Sequence, residues 1–188
     1  MIPRAKEGSG EAYRARFDRT LKRLLPETYN LMACQAALEA LVGVKAGAIL
    51  STAFSALKGD RLIRLIRIFE DSNNTATFWY LLRCEPENVG NDLDVEFLKR
   101  FSKKLKLIRD KTFVHIDKGA VFDTDAIYRA AGVTPNEMIR AMEMLWPVLN
   151  RLHKQRFQAP FPMGDGALND FREMFQRDRA SLLPGYET

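Results

Sequence analysis

The sequence predicts an all-α protein: a helical bundle over residues 9–157, followed by a C-terminal tail, 158–188, with a short amphipathic helix. Apolar residues recur at the helical spacing of three to four along almost the whole chain of 188 residues. No run of alternating β-branched residues is long enough to form a sheet. Hydrophobic residues make up 46% and charged residues 28% of the chain, as in ordinary folded proteins, which argues against wholesale disorder.

The N-terminal half predicts three helices. The first covers residues 11–25, whose apolar residues share one face, and Pro26 breaks it or opens the next helix. Residues 27–57 are rich in alanine and leucine on many sides, which is typical of a helix at the centre of a bundle. Gly59 and Asp60 then interrupt the chain, and Asp60 can cap a third, short helix. That helix carries an arginine at every third position: Arg61, Arg64 and Arg67.

The C-terminal half predicts further helices separated by polar turns. The sequence predicts a turn over 71–75, then an apolar helical piece over 76–83 and a loop over 85–92. A long helix follows and runs toward His115. The sequence Thr-Pro-Asn-Glu at 134–137 has the spacing of a capping box with proline at the first helical position. It therefore opens the last helix of the bundle.

Composition favours a soluble cytoplasmic protein that does not bind a membrane. The net charge of +5 permits a polyanionic partner without requiring one. Cys34 and Cys84 are too few for a disulfide framework, so reduced thiols are expected. The first eleven residues lack the apolar core of a secretory signal. The most apolar stretch, 41–54, carries Lys45 and is shorter than the ~20 residues that a membrane span needs.

Sequence motifs for nucleotide, metal and covalent chemistry are missing from the chain. It contains neither the glycine-rich pattern of a phosphate-binding loop nor that of a dinucleotide fold, and it has no HExxH pair. The two histidines, His115 and His153, lack a cysteine at metal-ligand spacing. We therefore expect no cofactor and no metal site.

The segment around residues 97–117 holds the strongest charge pattern. From Lys99 to Lys111 it has seven basic residues and one acid, Asp110, a net charge of +6 against +5 for the whole chain. On a helical wheel the apolar residues of this segment form one stripe and most of its lysines lie opposite. Charge this concentrated can bind phosphates, whereas a solvated helix face is the simpler alternative.

Arg109 and His115 border the apolar stripe of this helix on opposite sides, about 120° apart. Histidine can transfer a proton near neutral pH because its ordinary pKa is ~6.5, and arginine can grip a phosphate with two hydrogen bonds. Together they suffice for metal-independent RNA cleavage, in which the 2′-hydroxyl attacks the adjacent phosphate. They meet only if the helix unwinds near His115 or a second subunit brings its copy close. A histidine that caps a helix or fills the core is the alternative.

Residues 109–115, Arg-Asp-Lys-Thr-Phe-Val-His, resemble the signature of the HEPN superfamily: an arginine followed by a polar residue, then a histidine at the end of a core helix. The neighbouring Leu107-Ile108 and Ile116-Asp117 and the upstream segment 61–83 are similar to the abortive-infection U-type branch. The likeness covers roughly residues 62–117, with weaker agreement to about Leu152.

The resemblance implies a HEPN-like bundle that forms a homodimer with its two Arg/His motifs face to face. It also implies an endoribonuclease used as a toxin or in antiphage defence, with an antitoxin as a further partner. His115 would then transfer the proton, Arg109 would hold the phosphate and Asp110 would orient one of them. The side chains that we expect to bind RNA are Lys99, Lys103, Lys104, Lys106 and Lys111.

The sequence is also compatible with two other functions. Residues 126–139 read as a helix-turn-helix, which suits DNA binding unless the face of Met138, Ile139 and Met142 is buried. A non-catalytic HEPN-like module for dimerisation or ligand binding is the other alternative. In that case the small-residue helix and the amphipathic tail supply the interface, and the basic helix stays solvated.

Overall fold

A computed structural model describes residues 10–44, 47–71, 76–111, 129–159 and 166–182. Its helices are α1 (Gly10–Leu41), α2 (Ala48–Phe69), α3 (Phe78–Cys84), α4 (Pro86–Gly90), α5 (Val95–Arg109), α6 (Pro135–Phe157) and α7 (Ala167–Leu182). No strand occurs in these ranges, and the predicted all-α class is confirmed. None of the described helices combines the length and apolar character needed to cross a bilayer.

The longest helix, α1, is the centre of the bundle and packs against α2, α3, α6 and α7. The prediction that it ends at Pro26 is wrong. Pro26 lies on the exposed side of α1, where the carbonyl that loses its helical hydrogen bond can be hydrated. Leu25 before it and Thr28 after it are buried, so tertiary packing holds both halves in one helix.

The turn between the first two helices also differs from the prediction. It lies at Gly43, whose φ of +80° is a left-handed conformation that favours glycine. Gly59 and Asp60 are inside α2 rather than at a break. Asp60 caps nothing; its carboxylate accepts a hydrogen bond from Arg64 Nε at 2.7 Å, one turn further along α2. The chain from residue 48 to residue 69 is therefore one helix.

The capping box predicted for α6 is confirmed. Thr134 Oγ1 accepts a hydrogen bond from the Glu137 backbone N–H at 3.2 Å, and the Glu137 carboxylate accepts one from the Thr134 backbone N–H at 3.0 Å. Each side chain thus satisfies a backbone donor that has no partner inside the helix. Pro135 occupies the first helical turn, where its missing N–H costs nothing.

The amphipathic helix of the C-terminal tail is α7, and it packs along α1. Phe171 lies edge-on against Tyr29, with ring centroids 4.8 Å apart, and belongs to the same buried core as the bundle. Next to it, Arg172 donates two hydrogen bonds to the Glu39 carboxylate, at 2.7 and 3.1 Å. A bidentate contact of this kind fixes the relative orientation of the two side chains as well as pairing their charges.

The contact between α7 and α1 is expected to weaken in acid. Hydrogen bonding from Arg172 is the largest cause that lowers the pKa of Glu39, so the ionised form stabilises the fold. That stability is present above the unfolded pKa of ~4.3 and is lost as the pH falls through the lower folded value. Glu39→Gln should lower the free energy of unfolding by about 1 kcal/mol at pH 7 and by progressively less below about pH 4.

Urea unfolding at a series of pH values measures this difference. Glu143→Gln is a matched control, because the Glu143 carboxylate lies 3.9 Å from Arg172 and is more exposed. It should change stability little at any pH. A Glu39→Gln deficit that stayed constant down to pH 3 would show that the ion pair is not its cause.

Candidate functional site

The basic helix of the sequence is α5, and the core sets which way it faces. The predicted apolar stripe is buried: Phe97, Phe101, Leu105 and Ile108. At its start, the Asp94 carboxylate accepts a hydrogen bond from the Phe97 backbone N–H at 2.9 Å and caps the helix. Because this stripe points inward, Lys103 and Lys106 on the opposite side are exposed to solvent.

Two of the five lysines predicted to bind RNA have partners within the chain. Lys104 Nζ donates hydrogen bonds at 2.6 Å to both the Glu137 carboxylate and the Gly132 carbonyl, which joins α5 to the turn before α6. Lys99 forms an ion pair with Glu96, at 2.8 Å and one turn away. Lys104 is thus partly neutralised and held at the edge of the helix, away from the centre of its outer side.

Four cations remain on the outer side of α5 and its end, and we call them the basic face: Arg100, Lys103, Lys106 and Lys111. Within the described ranges no acidic side chain forms an ion pair with any of them. Leu107 lies among them with 39% of its surface exposed. Among the described residues, therefore, the charge of the basic face is not taken up in ion pairs, although Glu96 acts on Arg100 electrostatically, and an anion can approach this face from solvent.

Arg109 lies at the edge of the basic face, where α5 meets the end of α2. Its Nε and one terminal nitrogen donate to the Asp110 carboxylate at 2.9 and 2.6 Å, and the other terminal nitrogen donates to Glu70. The side chain is 24% exposed. The hydrogen bond to Asp110 is the largest cause that raises the pKa of Arg109 above its ordinary value. The guanidinium is thus charged, oriented and partly exposed, and both of its neighbouring carboxylates hold it.

The helix widens into a π-type turn at Asp110 and Lys111. Such turns occur often at functional sites because they re-aim the side chains that follow. His115 lies outside the described residues, so its approach to Arg109 stays a prediction. The same holds for the contact between two copies of the motif.

The three arginines of α2 face α1. Arg64 lies between Glu27 and Asp60, at 2.7 Å from each, and Arg67 contacts Glu27 at 3.0 Å. Arg61 donates to the Gln35 side chain at 2.7 Å. Arg67 is three residues before Glu70, the partner of Arg109, so this row of arginines leads toward the basic face.

Sequence analysis missed two residues of this region, Arg23 and Glu70. Arg23 lies on α1 beside Arg67, and Glu70 ends α2. Neither belongs to a motif. Glu70 is 39 residues from Arg109 along the chain, and only the packing of α5 on α2 brings the two together.

The face that a helix-turn-helix would need is occupied. Met138 and Met142 are buried in the core, and Ile139 is half-buried against it. Glu137, in the first turn of α6, is engaged by Thr134 and Lys104. A recognition helix must present its first turns to bases, so this packing argues against DNA binding through α6.

An apolar cavity of about 340 Å³ lies at the other end of α2, near the turn that joins it to α1. The described residues that line it are uncharged: Leu41, Val42, Gly43, Val44, Leu50, Ser51 and Phe54. Ile49 beside it is 86% exposed. This cavity is about twenty residues along α2 from Glu70. The amphipathic tail, which the non-catalytic alternative needs as an interface, packs on α1 of the same chain instead.

Comparison of the chain with protein-family models, curated proteins and solved structures finds no match. In the part of the chain that the structure describes, no three histidine, cysteine, aspartate or glutamate side chains are grouped as metal ligands.

Proposed function

We propose that the protein is a metal-independent endoribonuclease that holds RNA on the basic face of α5 and cleaves it beside Arg109. Following the HEPN resemblance, it acts in the cytoplasm as a homodimeric toxin or antiphage effector that an antitoxin restrains. One observation carries the proposal. A helix held against the core by its apolar stripe presents to solvent cations that form no ion pair with the described acidic residues, and they end at an oriented, partly exposed guanidinium.

The basic face suits the sugar-phosphate backbone rather than particular bases. Lysine ammonium groups are flexible point charges that attract phosphates and release their counterions without reading sequence. Lys103 and Lys106 are three residues apart and are therefore neighbours on the helix surface, with Cβ atoms about 5–6 Å apart. Binding should depend on salt and tolerate many RNA sequences.

The cleavage step follows from the groups at the end of α5. The ribose 2′-oxygen forms a bond to phosphorus while the bond from phosphorus to the 5′-oxygen breaks. One proton leaves the 2′-hydroxyl and one reaches the departing 5′-oxygen, and His115 is the group that carries out this transfer. The Arg109 guanidinium stabilises the charge on the non-bridging oxygens, and Asp110 keeps it oriented. To bind there, the phosphate must take the place of Glu70 on Arg109.

The test is RNA cleavage in excess EDTA. The purified protein should cut a single-stranded RNA to fragments with 2′,3′-cyclic phosphate and 5′-hydroxyl ends, because the mechanism needs no metal. A 2′-O-methyl strand of the same sequence has no nucleophile and should stay intact. His115→Ala, purified in parallel, guards against a contaminating nuclease and should leave the RNA uncut. Equal cutting by both proteins, or an intact RNA, would refute the proposal.

A further inference from the structure

A cluster of guanidinium groups lies in the groove between α1 and α2, and it has more positive than negative charge. Glu27 is largely buried and serves both Arg64 and Arg67. Arg64 also has Asp60 as a partner. Arg67 shares the Glu27 carboxylate and remains 54% exposed.

Arg23, on the same groove, has no carboxylate partner within hydrogen-bond distance in the described ranges. One terminal nitrogen of Arg23 donates to the carbonyl oxygen of Ala76. Its Nε is buried and has no hydrogen-bond partner among the described residues. Burial lowers the pKa of Arg23, and the neighbouring positive charge of Arg67 lowers it further. The negative charge of Glu27 acts in the opposite direction, but that carboxylate also serves Arg64 and Arg67.

A buried donor without a partner costs about 1–3 kcal/mol, and more when it is charged. Folded proteins satisfy nearly all such groups with a protein atom, a water molecule or an ion. An anionic acceptor suits this position best, because the neighbouring guanidiniums of Arg23 and Arg67 both carry positive charge. Phosphate oxygens suit the planar donors of arginine, which can bind two of them at once.

We propose that Arg23 and Arg67 form a binding site for a phosphate group, beside Arg109 at the C-terminal end of α2. Arg23, whose Nε is buried, supplies the fixed donor, and half-exposed Arg67 forms the entrance. Arg67 lies in the last turn of α2, and Glu70, which directly follows that helix, contacts Arg109, so the site can continue the path of a strand on the basic face. The assignment of this phosphate to RNA rests on the proposed function. The existence of the site does not depend on that function.

Two probes distinguish the sources of the phosphate. Inorganic pyrophosphate should raise the Tm of the wild-type protein measurably. Binding of a 2′-O-methyl RNA strand in EDTA, followed without cleavage, reports the contact with RNA. Arg23→Gln should remove the pyrophosphate effect, weaken RNA binding several-fold and reduce the slope of log affinity against log salt by about 0.7. Arg19→Gln is the matched control, one turn earlier on α1 and exposed.

Arg67→Gln is a second test that remains valid if Arg23→Gln does not fold, because Arg67 is on the surface. It should also remove the pyrophosphate effect and weaken RNA binding. Loss of the pyrophosphate effect with unchanged RNA affinity would support the site and assign it to a free phosphate compound. If wild type binds no RNA but responds to pyrophosphate, the site stands and the proposed function fails. If pyrophosphate leaves wild type unchanged, and the Arg23 and Arg19 variants bind RNA equally, the site is refuted.

Discussion

Phe101→Ala is expected to destabilise the protein by about 3–5 kcal/mol, the largest effect on stability that we predict. Phe101 is fully buried between α5 and α2. Its ring lies edge-on to Phe69, with centroids 5.6 Å apart, and stacks on Phe97 at 5.9 Å. Removing the ring leaves a cavity where the two helices meet and forfeits both aromatic contacts.

Urea unfolding followed by circular dichroism measures the loss. Leu107→Ala is the matched control, an apolar truncation on the exposed side of the same helix. It should change the free energy of unfolding by about 0.5 kcal/mol or less. If Phe101→Ala cost no more than Leu107→Ala, the core would not hold α5 against α2, and Arg109 would not be fixed beside Glu70.

The second large effect concerns cleavage. Arg109→Ala should lower the rate of RNA cleavage in EDTA by about 10²–10³-fold, the usual cost of removing one donor that stabilises transition-state charge. Arg109→Lys should recover only part of this loss, because a single ammonium cannot donate the two parallel hydrogen bonds of a guanidinium. Stability should fall by no more than about 1 kcal/mol, since the ion pairs of Arg109 are partly exposed.

Single-turnover cleavage of a short RNA by wild type, Arg109→Ala and Arg109→Lys gives these rates. Arg177→Ala removes the same charge from an exposed position on α7 and should cleave as wild type does. Should Arg109→Ala match Arg177→Ala, the guanidinium at the end of α5 has no part in the chemistry.

The amphipathic pattern of α5 was readable from the sequence because it is decided locally. Apolar and basic residues separate cleanly at a period of 3.6, so burying one side exposes the other. The capping box of α6 is local too, since Thr134 and Glu137 are three residues apart. These two features were therefore predicted correctly, whereas the cap at Asp60 and the loop over 85–92 were not, because residues 48–69 form one helix and Pro86–Gly90 forms α4.

Features that depend on packing between distant parts of the chain were not predicted from the sequence. Pro26 is a strong local signal for a break, yet the buried residues on both sides of it keep α1 continuous. A count of charges along the chain cannot show that Lys104 meets Glu137, 33 residues away. Arg23 gives no sequence signal, because its surroundings come from α2 and Ala76. The sequence could therefore predict which side of α5 is exposed, whereas it could not predict the ion pairs around it.

The most direct test of the central claim is the salt dependence of RNA affinity, measured with the non-cleavable strand. Lys103→Ala/Lys106→Ala should bind more weakly than wild type, with the slope of log affinity against log salt reduced in magnitude by about 1.4. Lys154→Ala/Arg177→Ala removes the same charge from exposed positions elsewhere and should keep the wild-type slope. Equal slopes for the two double variants would mean that RNA does not lie on the basic face of α5.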